Sequence, residues 1–343
     1  MSNNILAGTY GNEGIHVLSA DSDLDRVEDV LDGAFEEEDT NFLDYDSEND
    51  VIYTTSQRDE GGGVAAYSID WDGGELEKNS EATTGADRRP SHIRRDAGEN
   101  YLLTANYEGS ISVIALEDDG SLGGRTDLVE HEGSSTHERQ EGPHPHSVNT
   151  FSDGEDSYVY VPDLGTDEIM AYRLSDNGQL EFLNSTRVEE GSGPRHMDIQ
   201  EDTAYVINEL EPSVCVYDIN PENKELEQKQ RIDIPGLSEG EVNRGADIEA
   251  SSAGDFLYAS TRGDDSIAAF EIREDGRLKF EDKFSSEGES PRNISINQKG
   301  ELMAVANRNS DEVAVFGIDK ETGELRHDRS QGLEEPAFVQ FME

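Results

Sequence analysis

Four of the eight histidines, His92, His144, His146 and His196, stand one or two residues after a proline at the start of a short strand-like segment. Arg195 and Arg292 directly follow prolines of the same kind, and Arg262 and Arg308 close later segments. Glu209 adds a carboxylate in Asn208-Glu209-Leu210. These side chains can do defined chemistry. Imidazole takes up a proton near neutral pH. Guanidinium holds carboxylate or phosphate through paired hydrogen bonds. Together such groups could serve general acid–base work and hold an anionic group. The competing structural reading is that these groups pair with acidic neighbours and hold loops together.

Composition sharpens the choice. The 343 residues carry 78 Asp and Glu against 27 Lys and Arg, a net charge of −51. Only seven of the 27 bases are lysine. Clustered arginines in so acidic a chain point to an anionic small-molecule ligand bearing a carboxylate or phosphate. The same charge argues against nonspecific binding to nucleic acid or to an anionic membrane. High charge with 33% hydrophobic residues fits either disorder or a folded protein with an acidic surface, as in salt-loving organisms. Charges here are interspersed with short apolar runs, which favours the folded, halophile-like reading. Concentrated salt screens the self-repulsion, with a Debye length of about 3 Å near 1 M. Cys215 is the single cysteine, so no intrachain disulfide framework is expected. No apolar run is long enough for a transmembrane helix, and Met1 to Tyr10 lacks the basic start and apolar stretch of a signal peptide. A cytoplasmic location follows as an expectation.

The positioning elements come from an internal repeat. Pro90-Ser91-His92-Ile93, Pro145-His146-Ser147-Val148, Pro194-Arg195-His196-Met197, Gly245-Ala246-Asp247-Ile248 and Pro291-Arg292-Asn293-Ile294 each open a unit. Each leads to a second strand, a polar tip, a third strand, a turn and a weaker fourth strand. A fainter copy starts at Asn41. The polar tips Thr9, Ser56, Asn106, Asp163, Asn208, Thr261 and Asn307 recur at intervals of 45 to 57 residues. Seven units of four short strands predict an all-β fold, a seven-bladed β-propeller with four-stranded antiparallel blades in a single domain, 1–343. The first residues supply second and third strands, and Pro336 to Phe341 a first strand, so the two chain ends share one blade and close the ring. Asp/Gly turns after the third strands, as at Trp71-Asp72-Gly73-Gly74 and Asp118-Asp119-Gly120, suit positive-φ hairpins.

In such a blade the start of the first strand and the turn after the second lie at one end. That end is the expected ligand site. Its candidates are His92, His144, His146, His196, Asn106, Arg195, Glu209, Arg262, Arg292 and Arg308. Other signals are bland. His144, His146 and His196 lack a diagnostic zinc spacing, and neither a metal nor a cofactor is expected. Gly191-Ser192-Gly193 lacks the third glycine of a dinucleotide loop. Gly61 to Gly63 read as a flexible hairpin tip. Cys215 reads as a buried structural thiol, and Tyr53, Tyr205, Tyr217 and Tyr258 as core.

Longer motifs carry a family resemblance. Gln140-Glu141-Gly142-Pro143-His144-Pro145-His146, Val161-Pro162-Asp163-Leu164-Gly165-Thr166-Asp167, Gly191-Ser192-Gly193-Pro194-Arg195-His196, Asn208-Glu209-Leu210 and Thr261-Arg262-Gly263-Asp264-Asp265-Ser266 resemble the lactonase family of seven-bladed propellers. Gly8-Thr9-Tyr10 and Ala105-Asn106-Tyr107 fit it too. The family is typified by the bacterial propeller-type 6-phosphogluconolactonase and includes the fungal carboxy-cis,cis-muconate cyclases. The cyclase branch's proposed His, two Arg and Glu correspond to His146, Arg195, Arg262 and Glu209, with His144 an alternative for the histidine. His92, His144, His196, Arg292, Arg308 and Asn106 are then candidates for substrate binding. The chain departs from the family at Thr261, at Ser56-Gln57 and through Asp21 to Asp44.

The resemblance implies a hydrolase that opens a sugar lactone, 6-phosphogluconolactone being the expected substrate. Either Glu209 or His146 would be the base. Arg195 and Arg262 would hold the oxyanion or an anionic group, with Arg292 or Arg308 assisting. A cyclase acting on a dicarboxylate and a noncatalytic interaction platform are the alternatives. A platform would carry exposed apolar patches at its tips, which the sequence lacks. A monomer or weak homo-oligomer is expected.

Overall fold

Runs such as Tyr158-Val159-Tyr160-Val161 and Ala204-Tyr205-Val206-Ile207 are β-branched or aromatic at nearly every position, as strands covered on both faces require. In the computed structural model they are buried strands. The structure describes residues 3–10, 14–20, 28–29, 40–58, 61–71, 73–236 and 242–342. Met1, Ser2, Asp72 and most of Asp21 to Asp44 lie outside the described residues.

Seven four-stranded antiparallel sheets occur among the described residues, as the repeat predicts. Sheet 1 contains Leu43–Asp46, Val51–Arg58, Gly61–Asp70 and Glu75–Thr83. Sheet 2 contains His92–Arg95, Tyr101–Asn106, Ser110–Leu116 and Leu122–Glu130. Sheet 3 contains Asn149–Ser152, Ser157–Asp163, Glu168–Leu174 and Leu180–Arg187. Sheet 4 contains Pro194–Gln200, Thr203–Asn208, Ser213–Ile219 and Leu226–Asp233. Sheet 5 contains Arg244–Ala250, Phe256–Arg262, Ser266–Ile272 and Leu278–Ser285. Sheet 6 contains Pro291–Ile296, Leu302–Asn307, Glu312–Ile318 and Leu325–Gly332. In sheet 7 the last strand, Pro336–Phe341, pairs with the first, Asn4–Thr9, followed by Ile15–Ser19 and Glu28–Asp29. The two chain ends therefore share one sheet, as expected.

Two sequence expectations change in detail. The fourth strands of sheets 1 to 6 are as long as the others, eight or nine residues. They read as weak because their side chains are mostly exposed and polar, so no apolar period marks them. Gly61 to Gly63 are not a hairpin tip. They lie in a strand, opposite Arg58, Gln57 and Ser56. The glycines are required by a close backbone approach: a Cβ on Gly62 would sit 1.9 Å from the Arg88 carbonyl oxygen.

Chain contacts group the molecule into two compact units. The first comprises the described residues of Met1–Glu37, His196–Asp218 and Glu227–Glu343; the second comprises those of Glu38–Arg195 and Ile219–Leu226. Sheets 5, 6 and 7 and most of sheet 4 belong to the first unit, and sheets 1 to 3 to the second. Each has its own apolar clusters: Tyr205, Ile207, Leu257 and Phe270 share one in the first unit, and Leu103, Val113, Val159 and Tyr172 one in the second.

Within each unit two kinds of hydrogen bond tie sheet to sheet. Tyrosines of second strands donate to carbonyls in the outer hairpin of the next sheet: Tyr205 to Gly276 at 3.0 Å, Tyr258 to Gly323 at 3.2 Å, and Tyr53 to Gly120 at 2.7 Å. Those glycines have φ between 71° and 76°, the left-handed region that the turn motif anticipated. Burial pushes the Tyr205 hydroxyl up to about 12, so it remains a neutral donor. At the innermost strands, side-chain acceptors cap backbone N–H groups that the sheets leave unpaired. Asp198 accepts from Ala250 at 2.6 Å, Asn293 from Val339 at 2.7 Å, and Asp44 from Arg95 at 2.7 Å.

Candidate active site

The tip markers end or nearly end their second strands and are all buried. Each is followed by the residue that the repeat presents at the turn. In the first unit those residues are Glu209, Arg262, Arg308 and Tyr10, from sheets 4, 5, 6 and 7. Glu209 and Arg262 meet. Arg262 Nη2 lies 2.9 Å from Glu209 Oε2 and also donates to the Gly245 carbonyl at 2.7 Å. The Gly245 N–H returns a 3.1 Å bond to the Glu209 carbonyl. Gly245 must be glycine here, because a Cβ would sit 2.2 Å from the Asn208 carbonyl oxygen. The carboxylate side chain is 2% exposed and the arginine 14%. Two opposite charges so far from water hold each other in place.

His196 Nδ1 lies 2.6 Å from Asp247 Oδ1. Asp247 Oδ2 accepts from the Asn293 amide and from the Ile294 N–H at 3.0 Å. These three residues occupy the same repeat position in sheets 4, 5 and 6, so one nitrogen of the predicted binding histidine is fixed by the neighbouring sheet. Arg292 and Arg308 both approach Tyr10, their guanidinium carbons 5.2 and 4.3 Å from the ring centroid. Arg308 also bonds Glu335 at 2.8 Å. Tyr10 was not among the sequence candidates. Its signal was register: it follows Thr9 as Glu209 follows Asn208.

In the second unit, Asp163 builds the loop that carries His144 and His146. Pro145 bridges to Asp163, the His144 N–H donates to Asp163 Oδ1 at 2.7 Å, and the His146 N–H donates to the Pro162 carbonyl at 3.0 Å. Tyr107 lies between the two rings, stacked on His144 at 4.4 Å and edge-on to His146 at 5.8 Å. His144 Nδ1 donates to the Tyr107 carbonyl at 2.8 Å, which fixes that tautomer. His146 is 7% exposed and Arg195 3% exposed; the Arg195 carbonyl accepts from Ser147 Oγ at 3.0 Å. The His92 ring lies 4.0 Å from that of Phe42, tilted by 38°, and its Nδ1 accepts from the Val148 N–H.

Asn106 is engaged within its own sheet. Its amide donates to Ser110 and Ser112, and its carbonyl accepts from Thr104. Both ends of the buried side chain are used inside sheet 2, where they shape the hairpin.

A buried relay escaped the sequence reading. Asp163 Oδ2 lies 2.8 Å from His131 Nδ1, and His131 Nε2 lies 3.0 Å from the Tyr172 hydroxyl. Burial, then the charge of Asp163, raises Tyr172 well above the usual phenol range. His131 sits in the longest inter-tip interval, where no repeat position flagged it.

The chemistry available in the first unit is therefore a buried carboxylate paired with a guanidinium, together with two further arginines on one aromatic ring. Comparison with known proteins agrees in kind. The family model "Lactonase, 7-bladed beta-propeller" matches residues 4–341. The 6-phosphogluconolactonase of Bacillus subtilis is 33% identical over 326 residues, 93% of this chain and 92% of that protein. The periplasmic gluconolactonase of Pseudomonas aeruginosa superposes with a TM-score of 0.90 at 28% identity, covering 100% of this chain and 99% of that one. A Lactobacillus plantarum protein of known structure superposes with a TM-score of 0.92 at 27% identity over the full length of both. This chain belongs to the lactonase family of seven-bladed β-propellers.

Proposed function

We propose that the chain is a lactonase that opens a sugar lactone, with 6-phosphogluconolactone as substrate. The observation that carries this reading is the buried Glu209–Arg262 pair, in a chain 33% identical to a protein named 6-phosphogluconolactonase.

The reaction adds water to the lactone carbonyl. A C–O bond forms, the carbonyl oxygen becomes an oxyanion, and the ring C–O bond then breaks to leave a carboxylate and a hydroxyl. Arg262 supplies the positive charge for the oxyanion. Glu209 takes the proton of the attacking water and returns it to the ring oxygen as the ring C–O bond breaks, and the new carboxylic acid releases its own proton to solvent. The 2.9 Å pairing holds the two groups side by side for these two roles. His146 and Arg195 are proposed as a proton acceptor and a cation in their own right, each tested by its own substitution.

The test is proton release from freshly generated 6-phosphogluconolactone in molar potassium chloride, with spontaneous opening subtracted. Saturable turnover supports the reading; a folded protein that adds nothing to the spontaneous rate contradicts it. The molar salt follows from a second inference, that a surface of net charge −51 is suited to high salt.

A further inference from the structure

We propose that Arg292, Arg308 and Tyr10 form an anion subsite that takes the phosphate group of a phosphorylated lactone and so sets substrate preference. The inference rests on the lactonase reading and names the substrate class of its site.

Three observations carry it. The first is register. In sheets 4 to 7 the residue after the tip is Glu209, Arg262, Arg308 and Tyr10 in turn. The first two meet at 2.9 Å, and Arg308 lies 4.3 Å from the Tyr10 ring centroid. The repeat that presents the reactive pair in sheets 4 and 5 thus presents a cation and an aromatic ring at the same position in sheets 6 and 7. Arg292, from the start of sheet 6, brings a second cation to 5.2 Å from that ring.

The second is charge. Acidic residues outnumber basic ones 78 to 27, yet Arg292 makes no ion pair among the described residues. Two guanidinium groups beside one ring repel each other, and the ring face offsets this only in part. A dianion would remove the repulsion.

The third is the unmet donor of Arg308. Its Nε is buried and has no acceptor among the described residues. Its Nη2 bonds Glu335 at 2.8 Å. Glu335 is itself fixed by a 2.9 Å bond from its N–H to Asp311 and a 3.0 Å bond from the Tyr10 N–H to its carbonyl. Its side chain therefore competes with the ligand for one edge of Arg308. A phosphate accepts from both arginines in the paired manner that suits guanidinium.

The experiment compares kcat/KM for 6-phosphogluconolactone with that for unphosphorylated gluconolactone, in wild type, Arg292→Gln, Arg308→Gln and Glu335→Gln. Charged hydrogen bonds are worth about 1.5–3 kcal/mol, so each arginine variant should lower the phosphorylated-to-plain ratio by about tenfold or more. That loss should lie in KM, and Arg308→Lys should recover only part of it. Glu335→Gln should raise the ratio. A ratio unchanged in both arginine variants overturns the subsite, whether the two activities fall together or not at all. If wild type opens neither lactone, calorimetric titration with inorganic phosphate and 6-phosphogluconate decides separately. Binding that is lost in the arginine variants upholds the subsite while the lactonase reading fails; no binding to wild type overturns the subsite.

Discussion

Glu209 and Arg262 are 53 positions apart in the chain, about one repeat, and 2.9 Å apart in space. The repeat accounts for the first distance and Gly245 for the second. Because residue 245 has no Cβ, the first strand of sheet 5 can run against the tip of sheet 4, and its carbonyl and N–H bind one partner each.

Gly245→Ala should therefore separate the pair without touching either side chain. The new methyl would meet the Asn208 carbonyl oxygen at 2.2 Å and Ile207 Cγ1 at 2.9 Å. Relieving such overpacking costs typically about 1–3 kcal/mol. The variant should fold with a reduced unfolding midpoint in urea and lose most of its kcat. Full activity would show that the geometry of the pair is not what matters.

Arg262→Lys keeps the charge and loses the planar fork that serves Glu209 and Gly245 together. Removing an oxyanion donor costs roughly 3–4 kcal/mol, about a hundred- to a thousand-fold in rate. The lysine variant should fall in kcat toward that range, with KM changed less. A change confined to KM would move Arg262 from the oxyanion to ground-state binding.

Asp163→Ala should be among the most destabilising single changes in the second unit. It leaves His131 without its carboxylate and the N–H groups of His144, Gly165 and Thr166 without an acceptor. Leaving buried donors without their acceptor costs about 1–3 kcal/mol each. Urea unfolding measures it; a loss below about 1 kcal/mol would show that water replaces the carboxylate easily.

The position of these groups was unevenly legible in the sequence. The tip markers were visible because a second strand buried on both faces must end abruptly at a polar residue, as at Asn208-Glu209. The core tyrosines were visible for the same reason, although their latching bonds to the next sheet were not, since a carbonyl such as that of Gly276 has no sequence signature. His92 and His196 were correctly placed at the starts of first strands, but their engagement with neighbouring sheets depends on which nitrogen faces Val148 or Asp247. Gly61 to Gly63 were misread because three glycines signal freedom in a local reading; here they admit the Arg88 backbone. The Asp163–His131 contact joins a tip to an interval that follows no repeat.

The acidic surface makes its own prediction. Raising potassium chloride from about 0.1 M to about 2 M shortens the Debye length severalfold. With a net charge of −51, the melting temperature should rise over that range. A flat or falling curve would mean that the surface charges are spaced widely enough to fold without screening.

The most direct test is the single substitution Glu209→Gln, compared with wild type for opening of fresh 6-phosphogluconolactone in molar potassium chloride. Glutamine has the size of glutamate and its carbonyl oxygen can still accept from Arg262, so the fold and the cation stay in place while the base is removed. General-base catalysis contributes typically about a hundred- to ten-thousand-fold, and kcat should drop by that order in a protein that still folds, its unfolding midpoint lowered because the Arg262 charge loses its partner. A folded Glu209→Gln protein that turns over at the wild-type rate would contradict the assignment of Glu209 as the base.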